Sequence, residues 1–219
     1  RNTASRDPLL LFTIVLIFAS LVIFILYPLL SVVITSFKTG PGAPFTLSIF
    51  KEVISSAYLR LAFMNSIMMG LLTAVLGSFV GFIFAYALSR TDIPFKKFFH
   101  IIAIIPVVSP PFIGALSIIM LFGNNGLITY SLLKIMNYPI YGIRGLLLAQ
   151  VITFFPIAYI TLRGVIDSIS PTLEDAALDL GGSRWKVFKK VTLPLTIPGI
   201  ASAMLVLFIE TLADFGNPL

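Results

Sequence analysis

The chain has 219 residues, 58% hydrophobic and 11% charged, with a mean hydropathy of +1.05 and a formal net charge of +6. A water-soluble domain carries about 25% charged residues, so the composition is that of an integral membrane protein, not a soluble enzyme or a nucleic-acid-binding module. With no cysteine and a single histidine, His100, disulfides, thiolate metal sites, a cysteine nucleophile and a histidine-rich metal centre are excluded within it.

A spanning helix takes about 20 mostly apolar residues. Five runs qualify in chain order: Leu9 to Phe37, Phe63 to Ser89, Phe98 to Phe122, Gly145 to Leu162 closed by Arg163, and Leu195 to Ala213. The fold class is therefore an all-α polytopic membrane bundle of five visible spans. The first run is too long for a cleavable signal peptide and no small-residue cleavage site follows it. Residues 1–8 read as a solvated tail, 9–58 as the first span with its outer loop, and 59–219 as the core of the bundle. Ten basic residues (Arg1, Arg6, Arg90, Lys96, Lys97, Arg163, Arg184, Lys186, Lys189 and Lys190) fall on one side of this topology. Five (Lys38, Lys51, Arg60, Lys134 and Arg144) fall on the other. The richer side faces the cytoplasm, which puts the N-terminus and the segment between the fourth and fifth spans inside. The protein is thus expected in the cell (inner) membrane as a multi-pass protein.

Within the spans, three features stand out. Gly70, Ala74, Gly77 and Gly81 recur at three to four residues along the second run, so a neighbouring helix can approach closely on that face. The third run contains "PVVSPP", and Pro106, Pro110 and Pro111 must bend or break its helix. Two readings are open: a kink that shapes packing, or a broken helix lining a pathway or gate. In the fifth run Glu210 and Asp214 stand four residues apart. They share one face if the helix continues to Asp214, before Gly216 and Pro218 break it. Either they bond to neighbouring helices and headgroup water, or they form a hard-oxygen site on the path of a cation. The second alternative would also suit a cation-coupled secondary transporter. No firm metal site is expected from either, and no cofactor.

The segment "SPTLEDAALDLGGSRWKVFKKVTLPL" is polar between two apolar runs. Ser170 suits an N-cap, Pro171 the first helical position, and Glu174 and Asp175 the positive end of the helix dipole. Gly181 and Gly182 are natural terminators. Ser183 can cap a second short helix from Arg184 to Lys190, which Pro194 stops before the next span. The predicted unit is a helix–turn–helix elbow at the cytoplasmic face. Its apolar residues Ala176, Ala177, Leu180, Trp185, Val187 and Phe188 form a patch that lipid does not cover. That patch fits a protein partner, or an interfacial hairpin anchored in the headgroups by Trp185.

The spacing carries a resemblance. Asp175-Ala176-Ala177, Gly181 after three residues, and Val191-Thr192-Leu193-Pro194 after nine more match the "EAA" loop of permease subunits of type I ABC importers. That is the binding-protein-dependent transport family. Asp175 stands in place of Glu, and Val191 in place of Ile. The closing "ETLADFGNPL" resembles the ferric-iron branch, which is often a fused protein with two such halves; the phosphonate, thiamine and polyamine branches are near to it. The resemblance implies a type I permease fold with a sixth span beyond Leu219. It implies that residues 59–219 are the permease core and that about 170–194 form a coupling loop that docks on a separate ATPase. Glu174, Asp175, Ala176, Ala177, Gly181, Trp185, Leu193 and Pro194 would be its contact and shaping residues. Glu210, Asp214, Pro106, Pro110 and Pro111 are the candidates for the translocation pathway. Partners so implied are ABC ATPase subunits, an extracytoplasmic substrate-binding protein, a second permease half or fused repeat, and the lipid bilayer. The chain has no Gly-Lys-Ser/Thr phosphate loop, so the chain is not expected to be an enzyme, and ATP hydrolysis is expected on the partner.

Overall fold

The computed structural model describes residues 8–135 and 140–217, with Pro111 described by its backbone alone. The tail with Arg1 and Arg6, the stretch 136–139 and the Pro218 breaker lie outside the described residues. The chain divides into two compact units, Arg1–Phe63 and Met64–Leu219.

In the first unit α1 (Pro8–Leu21) runs through a π-helical turn, Val22–Leu26, into α2 (Tyr27–Ser36). The turn has a cause. Proline inside a helix lacks an N–H and its ring clashes with the carbonyl four residues back. Just before Pro28 the Tyr27 N–H bonds instead to the Val22 carbonyl, five residues back. That offset relaxes the ladder and lets the helix continue. A loop with a single antiparallel bridge, Lys38 to Phe45, leads to the short α3 (Ser48–Ser55). No other strand pairing occurs among the described residues.

α4 (Ala57–Arg90) leads through the second unit, followed by α5 (Lys96–Val108), α6 (Pro111–Phe122), α7 (Ile143–Ser168), α8 (Pro171–Asp179), α9 (Arg184–Val187) and α10 (Leu193–Leu212). α7 is central and packs on α5, α6 and α10. Its buried residues Phe154, Phe155, Ala158, Tyr159, Leu162 and Ile166 join Ala74, Ala85 and Leu88 of α4, Ala103 of α5, and Ala203 and Leu207 of α10 in one core. The small-residue face of α4 does what its spacing predicts. A Cβ on Gly70 would lie 2.8 Å from the Phe208 ring, one on Gly77 2.6 Å from Leu207, and one on Gly81 2.8 Å from the backbone nitrogen of Tyr159. At Gly81, which meets backbone, only hydrogen lets the helices approach so closely; at Gly70 and Gly77 the contact is with side chains.

Among the described residues five helical stretches are long and apolar enough to cross a membrane: Pro8–Ser36, Ala57–Arg90, Phe112–Leu132, Ile143–Ser168 and Arg184–Leu212. The fold is all-α, as expected, but four boundaries differ from the sequence reading; the second span begins at Ala57, ahead of Arg60, and not at Phe63. The predicted third span, Phe98 to Phe122, is not one helix. Ser109 and Pro110 are extended, and each precedes a proline, a position pushed out of the helical region. Pro106 stays inside α5, and Pro111 opens α6 where a missing N–H costs nothing. The two pieces lie along α7, α5 near Tyr159 and α6 near Thr153. The stretch long and apolar enough on its own begins at Phe112 and continues beyond the turn at Gly123–Gly126 into a π-helical turn, Leu127–Leu132. The fourth span does not close at Arg163 but runs to Ser168. Arg163 is kept in the helix by its partners: its Nη1 donates to Tyr159 Oη and His100 Nδ1, both at 2.8 Å, and its Nε pairs with Asp167 at 3.4 Å. The fifth span starts well before Leu195. α9 passes through a π-helical turn, Phe188–Thr192, directly into α10. Pro194 does not stop it, because the Leu193 N–H bonds to the Phe188 carbonyl five residues back. This is the device already seen at Pro28.

Candidate functional site

The elbow is built from α8, a tight turn, and α9. Pro171 opens α8 and Glu174 lies in its first turn. Ser170 precedes the helix but does not cap it with its side chain; its hydroxyl pairs with that of Thr172 at 2.7 Å. Gly181 turns the chain at φ +83°, a left-handed conformation that glycine adopts without strain. The N–H groups of Leu180, Gly181 and Gly182 close the end of α8 by bonding to Ala176, Leu178 and Ala177. Ser183 then caps α9, its Oγ accepting from the Lys186 N–H at 3.3 Å.

Two side chains hold the elbow to the bundle. Arg90, the last residue of α4, donates from Nε to the Glu174 carboxylate, 3.1 Å from Oε2 and 3.2 Å from Oε1. Its Nη2 donates to the carbonyls of Ile166, at 2.8 Å, and Ile169, at 2.7 Å. Thr192, buried in the π-helical turn, donates to Glu174 Oε1 at 2.7 Å. Four segments therefore converge on one ion pair. Asp175, which stands at the acidic position of the motif, is exposed instead.

The apolar patch is smaller than its sequence suggests. Leu180 and Trp185 are 90% and 69% exposed, and Leu178 is at the edge of exposure. Ala176 is exposed and Ala177 half-buried. Val187 and Phe188 do not belong to the patch. Val187 is buried, and the Phe188 ring sits 5.0 Å from Tyr86 and 5.4 Å from Trp185. The helical phase explains this: α9 already follows the rotation of the span it runs into. Leu193 is half-buried and Pro194 exposed in that continuous helix.

The five pathway candidates are not brought together. α10 ends at Leu212, so Glu210 and Asp214 do not share a helical face. Glu210 is exposed with no bonded partner among the described residues. Asp214 folds back as a cap. Its Oδ1 accepts from the N–H groups of Gly216 and Asn217, at 3.0 and 3.2 Å, and its Oδ2 from Gln150 Nε2 and Asn217 Nδ2, at 3.1 and 2.9 Å. Gln150 in turn accepts from Thr73. Pro106 and Pro110 line a cleft of about 340 Å³ with Ser109, Gly114, Ile152 and Thr153, at the level of the break between α5 and α6. Pro111 begins α6 beside it. Among the described residues no group of three or more His, Asp or Glu is arranged to hold a metal ion.

Comparison with known proteins turns this geometry into a family. Residues 77–216, from the glycine face of α4 to the Asp214 cap, match the family described as binding-protein-dependent transport system inner membrane component. The chain belongs to that family. Members similar to it include a putative ferric transport system permease protein of Haemophilus influenzae, 29% identical over 97% of this chain and 34% of the relative. A ferric transport system permease protein of Actinobacillus pleuropneumoniae is 32% identical over 90% of this chain and 29% of its own length. The chain thus spans about a third of these relatives. A molybdenum transport system permease protein of Escherichia coli is 33% identical over 62% of this chain and 60% of its length. Among solved structures, a bacterial ABC transporter involved in import of the acidic polysaccharide alginate superposes with a TM-score of 0.75 at 18% identity, over 98% of this chain and 80% of that one. The same system in complex with a pentasaccharide-bound periplasmic protein gives 0.78 over 94% and 74%. These two likenesses are of fold.

The motif pointed to Asp175 and the coupling loop. The motif spacing includes Thr192 and the charge count includes Arg90, but neither shows the tie that joins both to Glu174, and Gln150 gives no local signal in its apolar run.

Proposed function

We propose that this chain is part of the permease subunit of an ABC importer, embedded in the inner membrane with its N-terminus and elbow cytoplasmic. It forms one side of the translocation path and takes its motion from a separate ATPase that grips the elbow. The observation that carries this reading is the anchored elbow itself. Its outer side offers Leu180, Trp185 and Asp175 to a partner, while Glu174 on its inner side is tied to the spans. A headgroup hairpin would need no such tie. A second permease half completes the path, and an extracytoplasmic binding protein delivers the cargo. Glu210 and the cleft at Pro106, Pro110 and Pro111 are the parts of the path this chain supplies.

Ferric iron is the proposed cargo. The two ferric permeases match along 97% and 90% of the chain, whereas the molybdenum permease matches along 62%. The second reading is an oxyanion such as molybdate, favoured by one observation: the hydrogen bonds at Asp214 leave Glu210 as the one fifth-span carboxylate free to meet a cation. The full-length permease, purified with its associated ATPase and reconstituted, separates the two. ATP hydrolysis stimulated by a ferric-loaded binding protein, with ferric uptake, supports iron. Stimulation only by an oxyanion-loaded binding protein overturns it. Absence of any co-purifying ATPase overturns the importer reading.

A further inference from the structure

Arg90 has a position that topology alone does not require. It ends α4, yet it is only 12% exposed and turns toward the elbow. The guanidinium is a planar fork with five donors in fixed directions. Here the fork is used on two sides. One donor meets Glu174 on α8; another meets the carbonyls of Ile166, which also accepts from the Ile169 N–H, and of Ile169, near and just beyond the end of α7. Thr192 closes the circle from the turn that leads into α10. Neighbouring charges are committed elsewhere: Asp92 to Lys96, and Asp167 to Arg163. Among the described residues Glu174 has Arg90 as its one ion-pair partner, and that arginine also grips the end of α7.

We infer that Arg90 is a positioning residue that makes the elbow, α4, α7 and α10 move as one body, so that force applied to α8 enters three spans at once. A pair that broke during each cycle would leave the guanidinium without its acceptors and the Glu174 carboxylate with the Thr192 hydroxyl alone in a half-buried place. A permanent tie avoids that. The functional half of this inference rests on the proposed coupling role of the elbow; the mechanical half does not.

Both halves are open to test in the full-length permease. Spin labels at Leu180 and Leu205, exposed positions on the elbow and on α10, report the distance between them. The wild-type distribution is expected to be narrow, and that of Arg90→Ala broad. Arg90→Lys should resemble Arg90→Ala, because an ammonium is a point donor that cannot span the same acceptors. Thr192→Val, which removes one bond and keeps the ion pair, should broaden less. In proteoliposomes with the ATPase, Arg90→Ala should lower transport per ATP hydrolysed about tenfold, within the usual range of coupling between sites. The amount of bound ATPase should not change. If Arg90→Ala does not accumulate, the same two readouts on Arg90→Lys decide the matter. An unchanged distribution overturns the tie, whatever the chain transports. A broadened distribution with an unchanged transport-to-hydrolysis ratio overturns the transmission role. If the wild type binds no ATPase, the importer reading fails while the distance measurement still stands.

Discussion

Gln150 donates from Nε2 to Oδ2 of Asp214 across 3.1 Å, joining α7 to the turn just beyond α10. Gln150 is 2% exposed, and its Oε1 accepts from the equally buried Thr73 of α4. Three chain segments thus share one polar chain in an apolar interior. Replacing Asp214 by Asn swaps an acceptor for a donor against groups that already donate. The loss is about 1–3 kcal/mol for a buried group left unpaired. Thermal unfolding of the purified protein in detergent should show a lower midpoint for Asp214→Asn, and a lower one again for Gln150→Leu. An unchanged midpoint in both variants would show that the network contributes nothing to holding the spans together.

Gly81 and Gly164 make a matched pair of opposite sign. A Cβ at Gly81 would meet Ala158 Cβ and the Tyr159 nitrogen, both at 2.8 Å, and backbone cannot step aside. Gly81→Ala should cost about 1–3 kcal/mol, as overpacking does. Gly164 is exposed in α7 and has nothing within 4 Å of its added Cβ. Gly164→Ala should gain up to about 1 kcal/mol through helix propensity. The comparison is made by thermal unfolding of both single variants.

At Gly181 the constraint is the backbone and not space. Its φ is +83° and no atom lies within 4 Å of a built Cβ. Substitution should therefore rank by tolerance of the left-handed region: Gly181→Asn mild, Gly181→Val severe. Limited proteolysis of the elbow should follow that order, as should loss of transport under the proposed function. Equal behaviour of the two variants would mean that the turn does not hold its shape in the membrane.

Orientation is checked by labelling. The sequence has no cysteine, so single ones introduced at Ser183 and Asn125, both exposed, are the only targets within this segment. Ser183→Cys should react with a membrane-impermeant reagent only from the cytoplasmic side, and Asn125→Cys only from the other. The reverse pattern would refute the charge-based topology.

Much of this architecture is legible in one sequence, for reasons that differ by element. Long apolar runs declare spans because lipid admits little else. The glycine face of α4 is readable because close approach needs small residues at a helical interval. Gly181 is readable because its turn needs a residue without Cβ strain. Prolines mislead more. Ser109-Pro110-Pro111 breaks its helix, yet Pro28 and Pro194 do not, because each follows a π-helical turn. Nothing local in the sequence announces those turns. The tie between Glu174 and Arg90 is not legible for another reason: the two residues lie 84 positions apart along the chain. Spacing rules that work within one helix do not reach across three.

The π-helical turn at Phe188–Thr192 sets a phase as well as rescuing a proline. Each residue of an α-helix turns the chain by about 100°. The buried stripe of α10, Thr196, Gly199, Ala203, Leu207 and Thr211, must face α4 and α7, while Ser183 to Lys186 must point the elbow outward. The bond from the Leu193 N–H to the carbonyl five residues back takes up one extra residue in that turn, so α9 and α10 keep a common phase across it. A single deletion at exposed Lys189 should turn this stretch into ordinary α-helix and cost the ladder its relief at Pro194, so it should be worse tolerated than Lys189→Ala.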